Sequence, residues 1–180
     1  EIEKLETIKY NLYRYVYVYD ISQTKGEDIP LEDKDLNSNN IDKLYEKLIE
    51  FSPVTVIEKE LTGGLKGYYR EKAQEIAIKN NLSLDDKTAV LLHELTHCLY
   101  DDFDYSKNRD LSEVFVESVA YIVAEHFGLD TSLCSFRYII KWANGEPKTV
   151  LELGQKIQNC ANSFINELEN FNMKELKQVA

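Results

Sequence analysis

Two histidines one helical turn apart, with an acid beside the first, are the residues of this chain best suited to chemistry. The segment is His93-Glu94-Leu95-Thr96-His97, which has the H-E-x-x-H pattern of zinc metalloproteases. On a helix, residues four apart project from nearly the same face, so both imidazoles can bind one metal ion while Glu94 flanks the open coordination position. The segment therefore predicts a zinc site with His93 and His97 as ligands.

The competing interpretation is that the two histidines are ordinary core residues held by hydrogen bonds. Residues 89–92 and 98–100, on either side of the motif, are apolar, which predicts a helix buried on nearly every side. Burying two imidazoles and a carboxylate together is costly unless they are paired or bind a metal. We therefore favour the metal site.

The helix that carries the motif has a recognisable start. Ser83-Leu84-Asp85-Asp86 has the form of a capping box, in which the serine oxygen accepts an orphan backbone N–H and the acid reaches back to the cap. We expect a helix from there to about Asp101, with both histidines in its second half.

A third metal ligand is expected, because catalytic zinc sites usually take three protein ligands and keep the fourth position open. Residues 110–124 predict another helix, mostly apolar on every side, with Glu113 and Glu117 one turn apart. An E-x-x-x-[DEN] pattern after H-E-x-x-H suggests that one acid binds zinc and the other hydrogen-bonds a ligand histidine and fixes its tautomer. We predict that Glu113 is the ligand and that Glu117 orients a histidine.

Other assignments remain open at this point. Residues 110–113 also have the form of a capping box, so Glu113 could serve only the helix start and leave Glu117 as the ligand. The third histidine, His126, is a poor candidate because its position along the helix turns it well away from Glu113.

A small sheet and several further helices are expected around these two helices. Strands are predicted at residues 12–21 and 54–57, and residues 67–70 and 75–78 predict a hairpin around the polar turn 71–74. Helices are predicted at residues 41–51, at 132–143, and from Pro147 to about Phe171. We therefore expect an α+β fold in which a small antiparallel or mixed sheet packs on the active-site helix and the C-terminal half is helical.

The run of residues 87–129 is similar to a known group of proteins. It contains H-E-L-T-H, then S-E-V-F-V-E-S-V-A-Y and E-H-F-G-L-D. This pattern resembles the zincin-like metallopeptidase domain of ArdC-type antirestriction proteins and of LtrC-like proteins from conjugative plasmids and transposons. It is also similar, more remotely, to the ImmA/IrrE metallopeptidases. The resemblance implies a zincin-like fold of the gluzincin type over residues 41–180.

The resemblance extends more loosely towards the start of the chain. Residues 17–24 resemble the strand and S-Q-T segment that, in ArdC-type proteins, links an N-terminal single-stranded-DNA-binding domain to the peptidase domain. It implies that residues 1–40 are a linker strand and a mobile loop. We expect the chain to be a piece of a longer protein whose N-terminal domain is absent here.

Composition limits the classes of partner. The chain has 180 residues, 43% of them hydrophobic, which suits one sizeable core, and no apolar run long enough to span a membrane. Its 32 acids against 21 bases, a net charge of −11, argue against direct nucleic-acid binding, which the resemblance would assign to the absent domain. Cys98, Cys134 and Cys160 lack C-x-x-C spacing and predict buried thiols in a reducing cytoplasm.

These expectations together predict zinc-dependent hydrolysis of a peptide or protein substrate. Zinc would activate a water, and Glu94 would act as the general base. An oxyanion donor is usually needed, and the conceivable tyrosines are Tyr68, Tyr69, Tyr100 and Tyr121. The alternative function is a metal-binding regulatory or antirestriction module without protease activity.

The strand that precedes the zinc helix is a candidate for substrate binding. In zincins that strand is commonly a sheet edge that accepts an extended substrate by β-addition, which here would be residues 75–78. The alternative is an ordinary sheet strand that covers the helices.

Overall fold

Residues 38–171 are the part of the chain that the structure, a computed structural model, describes, with side chains from residue 41 onward. In chain order the elements are α1 (Ser38–Phe51), β1 (Thr55–Lys59), β2 (Gly67–Arg70), β3 (Glu75–Lys79), α2 (Leu84–Leu99), α3 (Tyr105–His126), α4 (Ser132–Trp142) and α5 (Pro147–Asn170). The expected α+β class is confirmed: the described part is mostly helical with a small three-stranded mixed sheet. The strand predicted at 12–21 and the linker and loop predicted over 1–40 lie outside the described residues, except that 38–40 belong to α1.

The sheet has the order β1-β3-β2. β3 pairs parallel with β1, with Thr55 opposite Glu75, and antiparallel with β2, with Gly67 opposite Ile78. A short 3-10 helix, Glu71–Ala73, turns the chain from β2 into β3 and ends at Gln74, which adopts a φ of 48°. The predicted hairpin is confirmed, and the strand predicted at 54–57 forms slightly later, as β1.

The prediction that residues 75–78 form a sheet edge is wrong. β3 is the central strand, with β1 and β2 on either side, and its Ile76, Ala77 and Ile78 are fully buried. Local periodicity carries no information about the parallel pairing of β1 with β3, because the partners are separated by the whole of β2. Among the strands that the structure describes, β1 and β2 lie at the edges of this sheet.

The zinc-motif helix begins as predicted. Ser83 caps α2: its Oγ accepts the backbone N–H of Asp86 at 3.2 Å and donates to Oδ2 of the same residue at 2.9 Å. The helix ends at Leu99, so the two histidines lie in its second half.

The next helix, α3, begins earlier than the sequence indicated. Asp104 caps it, with Oδ1 accepting the backbone N–H of Ser106 at 3.2 Å, and the first turn is separated from the rest by non-helical backbone at Asn108 (φ −127°, ψ 34°). Asp110 already lies inside the helix that resumes after Asn108, so the capping box considered for residues 110–113 is wrong, and Glu113 lies more than one turn beyond Asn108.

The hydrophobic core lies around α2, which contacts the sheet, α1 and α3, and around α3, which also contacts α5. Its largest fully buried side chains include Phe115, Phe164, Leu48, Ile76, Ile78, Leu91, Leu92 and Leu95. Because packing around Phe115 is complete, truncating it to alanine would cost about 3–5 kcal/mol. The core fixes α2 and α3 side by side, which positions the candidate metal ligands.

The remaining helices follow the sequence closely. α4 ends where Asn144 and Gly145 both take positive φ, and Pro147 occupies the first turn of α5. No helix in the described range is long and apolar enough to cross a bilayer. The expectation that all three cysteines are buried is wrong for Cys134, which is exposed, whereas Cys98 and Cys160 are half-buried; all three are free thiols.

Candidate metal centre

The three predicted ligands come together at the seam between α2 and α3. Within the described residues, His93, His97 and Glu113 form a group whose potential ligand atoms all lie within 4.8 Å of one another. Nε2 of His93 is 3.6 Å from Oε2 of Glu113, and the two imidazole centroids are 4.9 Å apart. α2 supplies both imidazoles from successive turns, and α3 brings the carboxylate to them.

This arrangement fits a zinc ion. Tetrahedral zinc with bonds of about 2.0–2.2 Å holds its ligand atoms about 3.3 Å apart, so the group needs only small side-chain adjustments to close on an ion. Two imidazole nitrogens with one carboxylate oxygen are also a donor set of catalytic zinc, which keeps its fourth position open. The residues present therefore fit the metal that the sequence predicts.

Glu117 lies behind His93, on the side of the ring away from Glu113. Its Oε2 is 2.8 Å from Nδ1 of His93, and the Ser135 hydroxyl of α4 helps to lower the pKa of the same carboxylate. Bonding at Nδ1 leaves Nε2 of His93 for a metal. The geometry thus places Glu113 in the ligand group and Glu117 in the orienting position.

A second orienting acid, Asp101, escaped the sequence analysis. Its Oδ2 lies 2.8 Å from Nδ1 of His97 and accepts the Ser112 hydroxyl at 2.5 Å, while Oδ1 accepts the backbone N–H of Phe103 at 3.1 Å. Asp101 lies one turn beyond His97, just after α2 ends, and that i+4 spacing was the available signal. Each ligand histidine therefore has its own carboxylate partner at Nδ1.

Glu94 is buried against the edge strand β2. It is 8% exposed, and its carboxylate accepts the backbone N–H of Tyr69. Gly67 makes this approach possible, because a Cβ there would stand 2.4 Å from Cγ1 of Val90 and 3.5 Å from Oε1 of Glu94. Burial raises the pKa of the Glu94 carboxyl and outweighs the opposing charges of His93 and His97, which favours proton acceptance nearer neutral pH.

The acids around His93 govern its charge in the metal-free protein. Burial would lower the pKa of His93, but the hydrogen bond to Glu117 and the charges of Glu94, Glu117 and Glu113 outweigh it and raise the pKa to about 9. Metal binding must therefore displace a proton from this imidazole at neutral pH.

A tyrosine outside the four considered from the sequence contacts the ligand group. The Tyr105 hydroxyl donates to Oε1 of Glu113 at 2.6 Å, and its ring lies 6.0 Å from that of His97. Burial and the Glu113 hydrogen bond raise the pKa of Tyr105 to about 12. The sequence analysis did not find Tyr105 because it lies in the first turn of α3, before the helix predicted over residues 110–124.

The other tyrosines have different neighbours. Tyr68 donates to Oε1 of Glu75 at 3.0 Å, the Tyr100 ring packs 5.2 Å from that of Phe164, and the Tyr121 ring packs 5.0 Å from that of Phe136. Tyr69 contacts the Glu94 carboxylate through its backbone N–H. Its hydroxyl lies close to the Cys98 thiol.

The remaining histidine is remote from the ligand group. His126 ends α3, and its Nε2 lies 2.8 Å from Oε1 of Glu169 on α5. The structure therefore brings together two of the three histidines, as the motif predicted.

The chain is similar in sequence to a protein of Bacillus anthracis. The chain is 30% identical over 189 aligned positions to a Bacillus anthracis protein, pXO2-81, that is described only as uncharacterized. The alignment covers 88% of this chain but 31% of that protein, so the chain spans about a third of its relative's length. No protein-family profile matches the chain. No solved structure matches it either.

Proposed function

We propose that residues 41–180 are a zinc-dependent metallopeptidase domain with a zincin-like fold of the gluzincin type. The observation that carries the proposal is the convergence of His93, His97 and Glu113 beside the buried acid Glu94. Both histidines have carboxylate partners at Nδ1, which fixes the tautomer that offers Nε2 to a metal. A purely structural core would not need ligand atoms, orienting acids and a buried carboxylate at one seam.

The reaction would be hydrolysis of a peptide bond. Bound zinc would supply Lewis acidity, lowering the pKa of a coordinated water to about 7 and polarising a carbonyl oxygen. Glu94 accepts a proton from the attacking water as the water oxygen bonds to the carbonyl carbon. The C–N bond then breaks, and Glu94 returns the proton to the leaving amine nitrogen. Glu117 and Asp101 hold His93 and His97 in place during these steps.

The substrate would be a peptide or protein that enters along the edge strand beside Glu94. That strand is β2, whose Tyr69 already contacts the Glu94 carboxylate through its backbone. An extended peptide could add to this edge by main-chain hydrogen bonds. The net charge of −11 does not favour a nucleic-acid substrate, because such binding depends on basic side chains.

The setting of the domain follows from the sequence resemblance. We infer that it belongs to an antirestriction-type protein of a mobile genetic element and works in the cytoplasm, where three free thiols are compatible with a reducing environment. Any contact with DNA would come from a separate N-terminal domain. The relative in Bacillus anthracis, about three times as long as the aligned segment, leaves room for such a domain.

Replacing Glu94 by glutamine tests the catalytic assignment. The amide keeps the shape of the side chain but cannot accept a proton at neutral pH, so turnover of an internally quenched peptide library should fall by about 10²–10⁴. Zinc content, measured by elemental analysis, should stay at that of the unmodified protein. Glu46→Gln, at an exposed position on α1, is the matched control and should leave both measurements unchanged.

Two results would contradict the proposal in different ways. Equal turnover in the Glu94→Gln and unmodified proteins would remove Glu94 from catalysis. An unmodified protein that binds zinc but cleaves no library peptide would leave the alternative, a metal-binding regulatory or antirestriction module without protease activity.

A further inference from the structure

The Tyr105 hydroxyl occupies a place in the candidate metal centre that the roles given so far do not use. One carboxylate oxygen of Glu113, Oε2, belongs to the ligand group and lies 3.6 Å from Nε2 of His93. The other oxygen, Oε1, accepts a hydrogen bond from the Tyr105 hydroxyl at 2.6 Å. The hydroxyl is therefore bonded directly to a predicted ligand. The residue is 45% exposed, so incoming solvent or substrate can reach it.

Arg109 prepares this hydroxyl to donate. Its Nε donates to the Tyr105 oxygen at 3.1 Å, and its guanidinium carbon lies 5.0 Å from the Trp142 ring centroid. A hydroxyl has one proton and two lone pairs. Because the arginine occupies a lone pair, the proton remains for an acceptor, and donation from a cation polarises the O–H bond.

The backbone around Tyr105 also sets it apart from the rest of α3. Asp104 caps the turn that carries Tyr105, and non-helical backbone at Asn108 separates this turn from the buried body of the helix. Tyr105 is thus presented by a short surface segment, while Glu113 is held by the core.

The acids of the candidate metal centre make a hydrogen-bond donor to the substrate carbonyl oxygen valuable. Peptide hydrolysis builds negative charge on the carbonyl oxygen, here beside Glu94, Glu113 and Glu117. Hydrogen-bond donors aimed at that oxygen are a large source of catalysis. Arg109, acting through Tyr105, brings positive charge towards this otherwise acidic centre.

We propose that Tyr105 is a catalytic hydrogen-bond donor, whose hydroxyl leaves Glu113 and donates to the carbonyl oxygen of the substrate as the tetrahedral intermediate forms. The inference rests on the proposed peptidase function. The tyrosine keeps its proton throughout, and no covalent bond to it forms or breaks. Arg109 is a positioning residue that acts through Tyr105.

The test compares Tyr105→Phe with the zinc-loaded unmodified protein. Losing one oxyanion donor should lower kcat on the quenched peptide library by about 10²–10³, with KM unchanged. Zinc affinity, titrated against a competing chelator, should fall by no more than about 10–100-fold, the usual cost of losing a hydrogen-bond partner of a ligand, so kcat is compared at saturating zinc. Tyr121→Phe is the matched control on the same helix and should alter none of these values.

A second measurement does not depend on turnover. An N-phosphoryl-leucyl dipeptide presents tetrahedral phosphoryl oxygens in place of the scissile carbonyl, and its affinity for the zinc-loaded protein can be measured by calorimetry. Tyr105→Phe should bind it at least about tenfold more weakly, whereas Tyr121→Phe should bind it like the unmodified protein.

The outcomes separate this inference from the proposed function. Equal affinity for the phosphoryl dipeptide in the Tyr105→Phe and unmodified proteins, including no binding by either, overturns the role of Tyr105. A loss of activity that excess zinc restores also overturns it, because the tyrosine would then only hold Glu113. Absence of peptide cleavage by the unmodified protein counts against the peptidase, while the phosphoryl dipeptide still tests the donor.

Discussion

Nδ1 of His97 lies 2.8 Å from Oδ2 of Asp101, a residue that belongs to neither of the two helices that form the seam. The same oxygen accepts the hydroxyl of Ser112 on α3. One carboxylate in the connecting segment therefore orients a predicted ligand of α2 and links it to α3 by a hydrogen bond.

Asp101→Ala should weaken zinc binding by about 10–100-fold, the usual cost of losing a carboxylate that orients a ligand histidine. Zinc titration against a competing chelator measures the change. Asp102→Ala is the neighbouring control, since Asp102 is exposed and pairs with Lys156. An affinity that is the same in both variants would show that Asp101 does not orient His97.

The two acids of α3 should respond differently to removal. Glu113→Ala should abolish measurable zinc binding, because two histidines alone bind weakly, whereas Glu117→Ala should weaken it by about 10–100-fold. The same chelator titration ranks the two variants. A larger loss in the Glu117 variant would reverse the assignment of ligand and orienting residue.

The histidines provide a comparison within one residue type. His97→Ala should remove the bound zinc and lower the melting temperature of the zinc-loaded protein, because the metal stabilises the folded state that binds it. His126→Ala, which breaks the contact with Glu169 at the other end of α3, should keep one zinc per chain. Elemental analysis and thermal unfolding of both variants measure the zinc content and the melting temperature. A full zinc content in the His97→Ala variant would contradict the proposed site.

Stability should depend on pH through Glu58, which links the sheet to two helices. Its carboxylate accepts Nζ of Lys87 at 2.6 Å and the Tyr45 hydroxyl at 2.8 Å. The Lys87 hydrogen bond, helped by Tyr45, outweighs burial and lowers the pKa of Glu58 below its usual 4.5. A lowered folded pKa means that this stabilisation is present above pH 4.5 and is lost as pH falls through the folded value.

Glu58→Gln should therefore destabilise the metal-free protein by about 0.5–1 kcal/mol at neutral pH, since the pair is partly exposed. The difference from the unmodified protein should shrink as pH falls below about 4.5. Urea unfolding in the presence of a chelator measures both effects. A difference that stays constant down to acid pH would show that the Lys87 pair contributes no pH-dependent stability.

The predicted ligands could be found from sequence because their signals are local. A helical motif fixes the relative direction of His93 and His97 from spacing alone, and the i+4 pair Glu113 and Glu117 shares a face in the same way. The hairpin, α4 and α5 were likewise marked by nearby turn residues and prolines.

The features that the sequence did not predict arise from contacts between segments that are distant in the chain or irregular in structure. The central position of β3 arises from parallel pairing with β1 across the whole of β2. The positions of Asp101 and Tyr105 beside the predicted ligands depend on how the segment between α2 and α3 folds back onto those helices. A polar, partly exposed segment carries no periodic signal that would place its side chains.

Four acids lie close together where α2 and α3 meet. Two imidazoles meet the carboxylates of Glu94, Asp101, Glu113 and Glu117, and none of the ion pairs recorded within residues 41–171 joins these four acids to a lysine or an arginine. A divalent cation that binds the folded protein but not the unfolded chain raises the free energy of unfolding. The increase is about 2.7 kcal/mol when the free cation concentration is a hundredfold above Kd. The proposed zinc site would therefore make the free energy of unfolding depend on the free metal concentration, and metal depletion would favour unfolding and proteolysis of the domain.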